Sequence, residues 1–85
     1  MNKEKLILKS KISKQKYIIK INKDYLSSTD YQAIKCFEGV MSESEFAPIK
    51  VLRTEARVKI NAAEVELAKL KGELDALLQT ESEQE

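Results

Sequence analysis

The 85 residues are 34% charged and 42% hydrophobic, with Lys+Arg 15 against Asp+Glu 14, which bounds the chain to one small domain or an extended oligomeric unit. With no histidine and one cysteine, an internal disulfide, a Cys/His zinc site and a histidine-based triad are excluded. No apolar run approaches the ~20 residues that span a bilayer, and the N-terminus lacks the apolar stretch and small-residue cleavage site of a signal peptide, so a soluble, intracellular product without membrane contact is expected.

Charge is divided unevenly along the chain. Residues 1–23 hold eight lysines and one acid, Glu4, for a net +7, whereas residues 24–85 hold seven bases and thirteen acids, for a net −6. Such a division suits either a basic arm for an anionic partner or two halves that attract each other. Lys9, Lys11, Lys14, Lys16 and Lys20 form the candidate face for an anionic partner. Lysine meets phosphate as a point charge, without the planar fork by which arginine reads guanine edges, so sequence-specific DNA recognition is not expected.

Within the basic segment, Leu6, Leu8 and Ile12 share one face of residues 5–12, and Tyr17, Ile19 and Ile21 share one face of residues 16–22. This partial alternation predicts two strands, paired as an antiparallel β-hairpin that turns near Ser13 and Lys14. An isolated hairpin is marginal in water, so it needs a helix or another subunit to lie on. Thr29 then reads as the N-cap of a short helix over about residues 30–38, with Gln32 completing a capping box. Ala33, Ile34 and Phe37, joined by Val40 and Met41, are its expected buried stripe, and Gly39 suits a left-handed C-terminal cap. Cys36 reads as a small, half-buried apolar residue with no histidine to activate it, and no role is assigned to it.

The acids of Ser42-Glu43-Ser44-Glu45 suit the N-terminus of a second, long helix, with Pro48 in its first turn. Ala, Leu, Glu and Lys fill the segment to about residue 79, giving a rod of roughly 45–50 Å. With Ile60 at heptad position a, Phe46, Arg53, Ile60, Leu67 and Leu74 occupy a. Ile49, Ala56, Ala63, Leu70 and Leu77 occupy d. Only Arg53 breaks this apolar seam, the signature of a left-handed coiled coil. In a parallel pair Lys59 would meet Glu64 of the other chain and Glu66 would meet Lys71, two attractive interchain pairs.

About 45 preceding residues, some of them loop, are too few to cover such a rod along one face, and Leu67, Leu70, Leu74 and Leu77 would remain exposed in a monomer. The expected oligomer interface is therefore Ile49, Ala56, Ile60, Ala63, Leu67, Leu70, Leu74 and Leu77, in a dimer or trimer. A second stripe, Val51, Val58 and Val65 with Ala62, is assigned to contact with the short helix and hairpin. The expected class is α+β, mainly α: a β-hairpin and short helix over residues 1–45, a coiled-coil helix over 46–80, and a frayed acidic tail over 81–85.

Two segments, Leu26 to Gly39 (LSSTDYQAIKCFEG) and Glu45 to Asn61 (EFAPIKVLRTEARVKIN), resemble the ending shared by many small tail-associated proteins of bacteriophages and prophages. Leu26, Thr29, Asp30, Tyr31, Lys35, Glu38, Arg53, Arg57, Ile60 and Asn61 stand at the matching places. The resemblance covers about 36 of the 85 residues and implies a helical hairpin used for assembly within a tail or fibre. The lysine-rich start and the leucine-rich extension after Asn61 depart from the pattern. The expected function is a non-enzymatic structural or assembly protein, phage or prophage derived, acting in the host bacterial cytoplasm or the virion, with a homo-oligomer or another phage structural protein as partner. The alternative is a small oligomeric nucleic-acid-binding or regulatory protein with a lysine-rich N-terminal arm. No paired acid and base and no glycine-rich phosphate loop occur in the sequence, so neither catalysis nor a cofactor is expected.

Overall fold

No glycine or proline interrupts the chain before Gly39, and lysine, leucine and glutamine hold a helix well. The computed structural model describes residues 2–84, with side chains from residue 3 to residue 80. The first helix, α1, spans Asn2–Phe37, and the second, α2, spans Glu43–Gln84. Among the described residues there is no strand, so the expected β-hairpin and the α+β class are overturned in favour of an all-helical chain. Leu6, Tyr17 and Ile21, placed on the faces of the expected strands, point to solvent.

The period that organises α1 is the heptad. Leu8, Ile12, Ile19, Leu26, Ala33 and Cys36 fall on one stripe of the helix, and each is buried or half-buried. Gln15, Asn22 and Thr29 interrupt that stripe at seven-residue intervals, which masks its periodicity. Two of these polar side chains are satisfied inside the helix. Asn22 Nδ2 donates to the Ile18 carbonyl at 2.7 Å, and Thr29 Oγ1 donates to the Tyr25 carbonyl at 2.8 Å. Thr29 is thus an interior residue of α1 and not an N-cap. The expected short helix is the last part of α1, and its expected buried stripe is largely exposed: Phe37 is 93% and Ile34 53% accessible.

Gly39 ends α1 as expected, with φ of 80°. Its N–H donates to the Cys36 carbonyl at 3.1 Å and the Val40 N–H donates to the Lys35 carbonyl at 2.8 Å, the two bonds of a Schellman cap. The capping box lies at the start of α2. Ser42 Oγ accepts the Glu45 N–H at 3.1 Å, and the Glu45 carboxylate accepts the Ser42 N–H at 3.4 Å and the Ser42 hydroxyl at 2.9 Å. The helix therefore begins at Glu43, which puts Pro48 in the second turn and not the first. At its other end α2 continues through Gln84, into the stretch expected to fray; the side chains of residues 81–85 lie outside those described, as does the backbone of Glu85.

The helices lie antiparallel in a hairpin 64 × 15 × 15 Å, and its length matches the ~1.5 Å rise per residue of α2. Its radius of gyration is 19.0 Å, against about 12 Å for a compact chain of this length. The shape is that of an extended, coiled-coil-like pair. Ile12, Ala56, Ile60, Ala63 and Leu70 form the buried apolar core, and among the described residues no side chain is wholly enclosed. Among the described residues no helix is long and apolar enough to cross a membrane.

A Cβ added at Gly39 or Gly72 meets nothing within 4 Å, so substitution there reports on backbone conformation alone. Gly39→Ala, forced into the left-handed region, should lower stability by about 1–2 kcal/mol. Gly72→Ala, in the interior of α2, should raise it by about 0.5–1 kcal/mol. Urea unfolding followed by circular dichroism at fixed protein concentration checks both signs.

Candidate functional site

Among the described residues Arg53 is the one polar side chain on the α2 seam, and it is only 8% accessible. A guanidinium held this far from water must be paired and hydrogen-bonded, and the last third of α1 supplies the partners. Nη1 donates to the Leu26 carbonyl at 2.8 Å and to Thr29 Oγ1 at 2.7 Å. Nη2 donates to Asp30 Oδ1 at 2.9 Å. The Thr29 hydroxyl accepts from Arg53 while donating to Tyr25, so both of its functions are used. Asp30 is 59% exposed at the side chain, which leaves the ion pair screened by water on one side and gives the neutral acceptors most of the local selectivity.

This cluster sets the register of the hairpin. Stepping by heptads in opposite directions from Thr29 and Arg53 puts Leu26 across from Ala56, Asn22 from Ile60, Ile19 from Ala63, and Ile12 from Leu70. The grooves along the hairpin agree with this order, joining Leu8 to Leu77, Ile19 to Leu67, Tyr25 to Ala56, and Cys36 to Phe46. A slip of one heptad would put Arg53 opposite Asn22, beside Lys23, or opposite Cys36, beside Phe37, and in either case it would lose the Thr29 hydroxyl together with the Asp30 carboxylate.

The seam residues of α2 meet α1 of the same chain. Ala56, Ile60, Ala63 and Leu70 are buried, and Ile49, Leu67, Leu74 and Leu77 are half-buried. α1 is itself a 36-residue helix, long enough to lie along the seam, so the leucines expected to stay exposed in a monomer are covered within the chain. Glu64 and Lys71 border a groove with Lys16 and Lys23 of α1. Lys59 borders another with Tyr25, and Glu66 is half-buried. The valine stripe, which was assigned to the N-terminal half, is bare: Val51, Val58 and Val65 are 58%, 61% and 73% exposed.

The candidate anionic-partner lysines do not share a face. On a helix, Lys9, Lys16 and Lys20 fall on one side, at i, i+7 and i+11, and Lys11 and Lys14 fall together on the opposite side; all five are exposed. Lys20 Nζ donates to Asp24 Oδ2 at 2.9 Å, and this bond, with the charge of Asp24, raises the lysine pKa above its usual value. Cys36 is half-buried in the groove near the turn, beside Phe37 and Phe46.

Thr29, Asp30 and Arg53 as a joined unit are what reading the sequence missed. The available signal was the single charged residue on an otherwise apolar seam, because such a residue requires a partner across the interface. Comparison with protein-family models, with curated proteins and with solved structures finds no match to this chain.

Thr29→Val removes one Arg53 acceptor at nearly constant volume and should cost about 1–3 kcal/mol, whereas Asp30→Asn should cost less than about 1 kcal/mol. The double variant Thr29→Val/Arg53→Met should recover most of the loss, because both polar partners leave together. Equilibrium unfolding of the four chains checks this, and a Thr29→Val chain as stable as the parent would remove the register role assigned to the cluster.

Proposed function

We propose that the protein is a non-enzymatic structural or assembly protein, phage or prophage derived and tail- or fibre-associated, that self-associates through its C-terminal helix. The observation that carries this reading is the bare valine row of α2, Val51, Val58 and Val65. A two-helix hairpin encloses little apolar surface, and a helix with apolar residues on both faces is completed by a further helix. Burying that row would couple folding to assembly by mass action. The seam from Ile49 to Leu77 would act between chains only if copies exchanged α1, since α1 fills it within each chain.

The phage setting rests on the resemblance of Leu26–Gly39 and Glu45–Asn61. The fold lends it support in one respect: Leu26, Thr29, Asp30 and Arg53, all positions of that pattern, are the residues hydrogen-bonded together near the turn. In this setting the protein works in the host cytoplasm or in the virion, with a second copy or another structural protein as its partner. The nucleic-acid alternative has less support, because Lys11 and Lys14 lie on the side of α1 away from Lys9, Lys16 and Lys20, and Lys20 is already paired with Asp24. It predicts binding to duplex or single-stranded nucleic acid that weakens steeply with salt.

Light scattering coupled to size-exclusion chromatography, over a wide range of protein concentration, tests the self-association. A dimer or trimer that dissociates on dilution is the expected result. A persistent monomer with salt-sensitive nucleic-acid binding would replace the assembly reading with the alternative.

A further inference from the structure

The valine row belongs to a second complete heptad pattern on α2. Three residues after Val51, Val58 and Val65 come Thr54, Asn61 and Ala68, so the stripe repeats at alternating steps of three and four residues, as the seam facing α1 does. All six residues are exposed. Thr54 Oγ1 donates to the Lys50 carbonyl at 3.0 Å, which engages the hydroxyl within its own helix. The stripe is mostly aliphatic and small, with Asn61 near its centre. A β-branched residue every seventh position, with small residues between, suits close packing against one other helix.

We propose that this face of α2 is the interface with a second copy of the chain, in which the two α2 helices pack parallel and in register about a two-fold axis, with the α1 helices outside. The proposal rests on the self-association reading given above and names the surface and orientation that would carry it. The charges bordering the stripe select the orientation. Lys50, Arg57, Glu64 and Lys71 lie along one border, and Glu55, Ala62, Lys69 and Ala76 along the other. In a parallel pair each residue of the first border meets the residue five positions on in the other copy. Lys50 then faces Glu55 and Glu64 faces Lys69, while Arg57 and Lys71 face alanines. The two-fold axis doubles each attraction, and no like charges meet.

In the antiparallel pairing of the same stripe, Arg57 would face Glu64 and Glu55 would face Lys69, but Lys50 would face Lys71. That arrangement carries a repulsion at each end, so the parallel one is preferred. Asn61 adds a register constraint. In the aligned parallel pair the two Asn61 side chains meet, and each can both donate and accept. A slip by one heptad would set Asn61 against Thr54 or Ala68 and separate the two amides. An asparagine in a largely apolar seam is a known means of fixing register and chain number, and the Thr54 hydroxyl, bonded within its own helix, does not compete with it.

Sedimentation equilibrium of the full chain and of single variants tests the proposal, with circular dichroism confirming that each variant keeps its helix content. Val58→Glu, at a position exposed in the hairpin, should leave the helix content unchanged and weaken dimerisation by at least about 30-fold. If the parent chain dimerises and Val58→Glu dimerises equally well, the valine face is not the interface, although self-association stands. A monomeric parent chain overturns both. Lys50→Glu decides orientation: it should weaken a parallel dimer, by setting a second carboxylate against Glu55 of the other copy, and Lys50→Glu/Glu55→Lys should restore it. A tighter dimer for Lys50→Glu alone would overturn the parallel arrangement in favour of the antiparallel one.

Discussion

A single buried guanidinium governs how the two halves of this chain meet. Two helices packed along one seam have no enclosing layer to hold them in place, and apolar residues repeated every heptad are nearly indifferent to a slip of one repeat. Arg53 removes that indifference, because it is withdrawn from water and finds acceptors only at Leu26, Thr29 and Asp30. Buried polar groups are costly when unpaired, so misregistered hairpins are penalised even where their apolar contacts are comparable. Every other layer of the seam, from Cys36 and Phe46 near the turn to Leu8 and Leu77 near the far end, takes its place from that contact.

The helices contribute unequally to the seam. α2 supplies most of the buried aliphatic surface, and α1 adds Ile12 to the core together with polar residues that satisfy themselves through Ile18 and Tyr25 carbonyls. The charge division along the sequence takes on a structural meaning here. The lysine-rich start of α1 lies beside the second half of α2, with Lys16 and Lys23 lining one groove together with Glu64 and Lys71.

The same slenderness that makes the hairpin depend on Arg53 leaves much of its surface apolar. With a cross-section of 15 × 15 Å, each helix has only one neighbour, and α2 carries apolar residues on two faces. Phe37 and Val40 at the turn are also open to solvent. A further partner would bury these faces, which is the physical basis of the assembly proposal.

Much of α2 was determined by the sequence alone. Its heptad of isoleucine, leucine and alanine runs unbroken apart from Arg53, its residues favour helix, and Gly39 marks where the preceding segment stops. The helical character of α1 was not legible, since Gln15, Asn22 and Thr29 fall on the stripe where apolar residues would have revealed it, and β-branched residues nearby imitate strand alternation. Thr29 looked like a cap because threonine is common there; only Arg53, 24 residues away in sequence, made an interior position favourable. The tertiary structure alone decided that the seam of α2 is filled from within the chain. Local propensity and periodicity act over a few turns, whereas the choice of packing partner depends on polar groups that meet only after the chain has reversed direction.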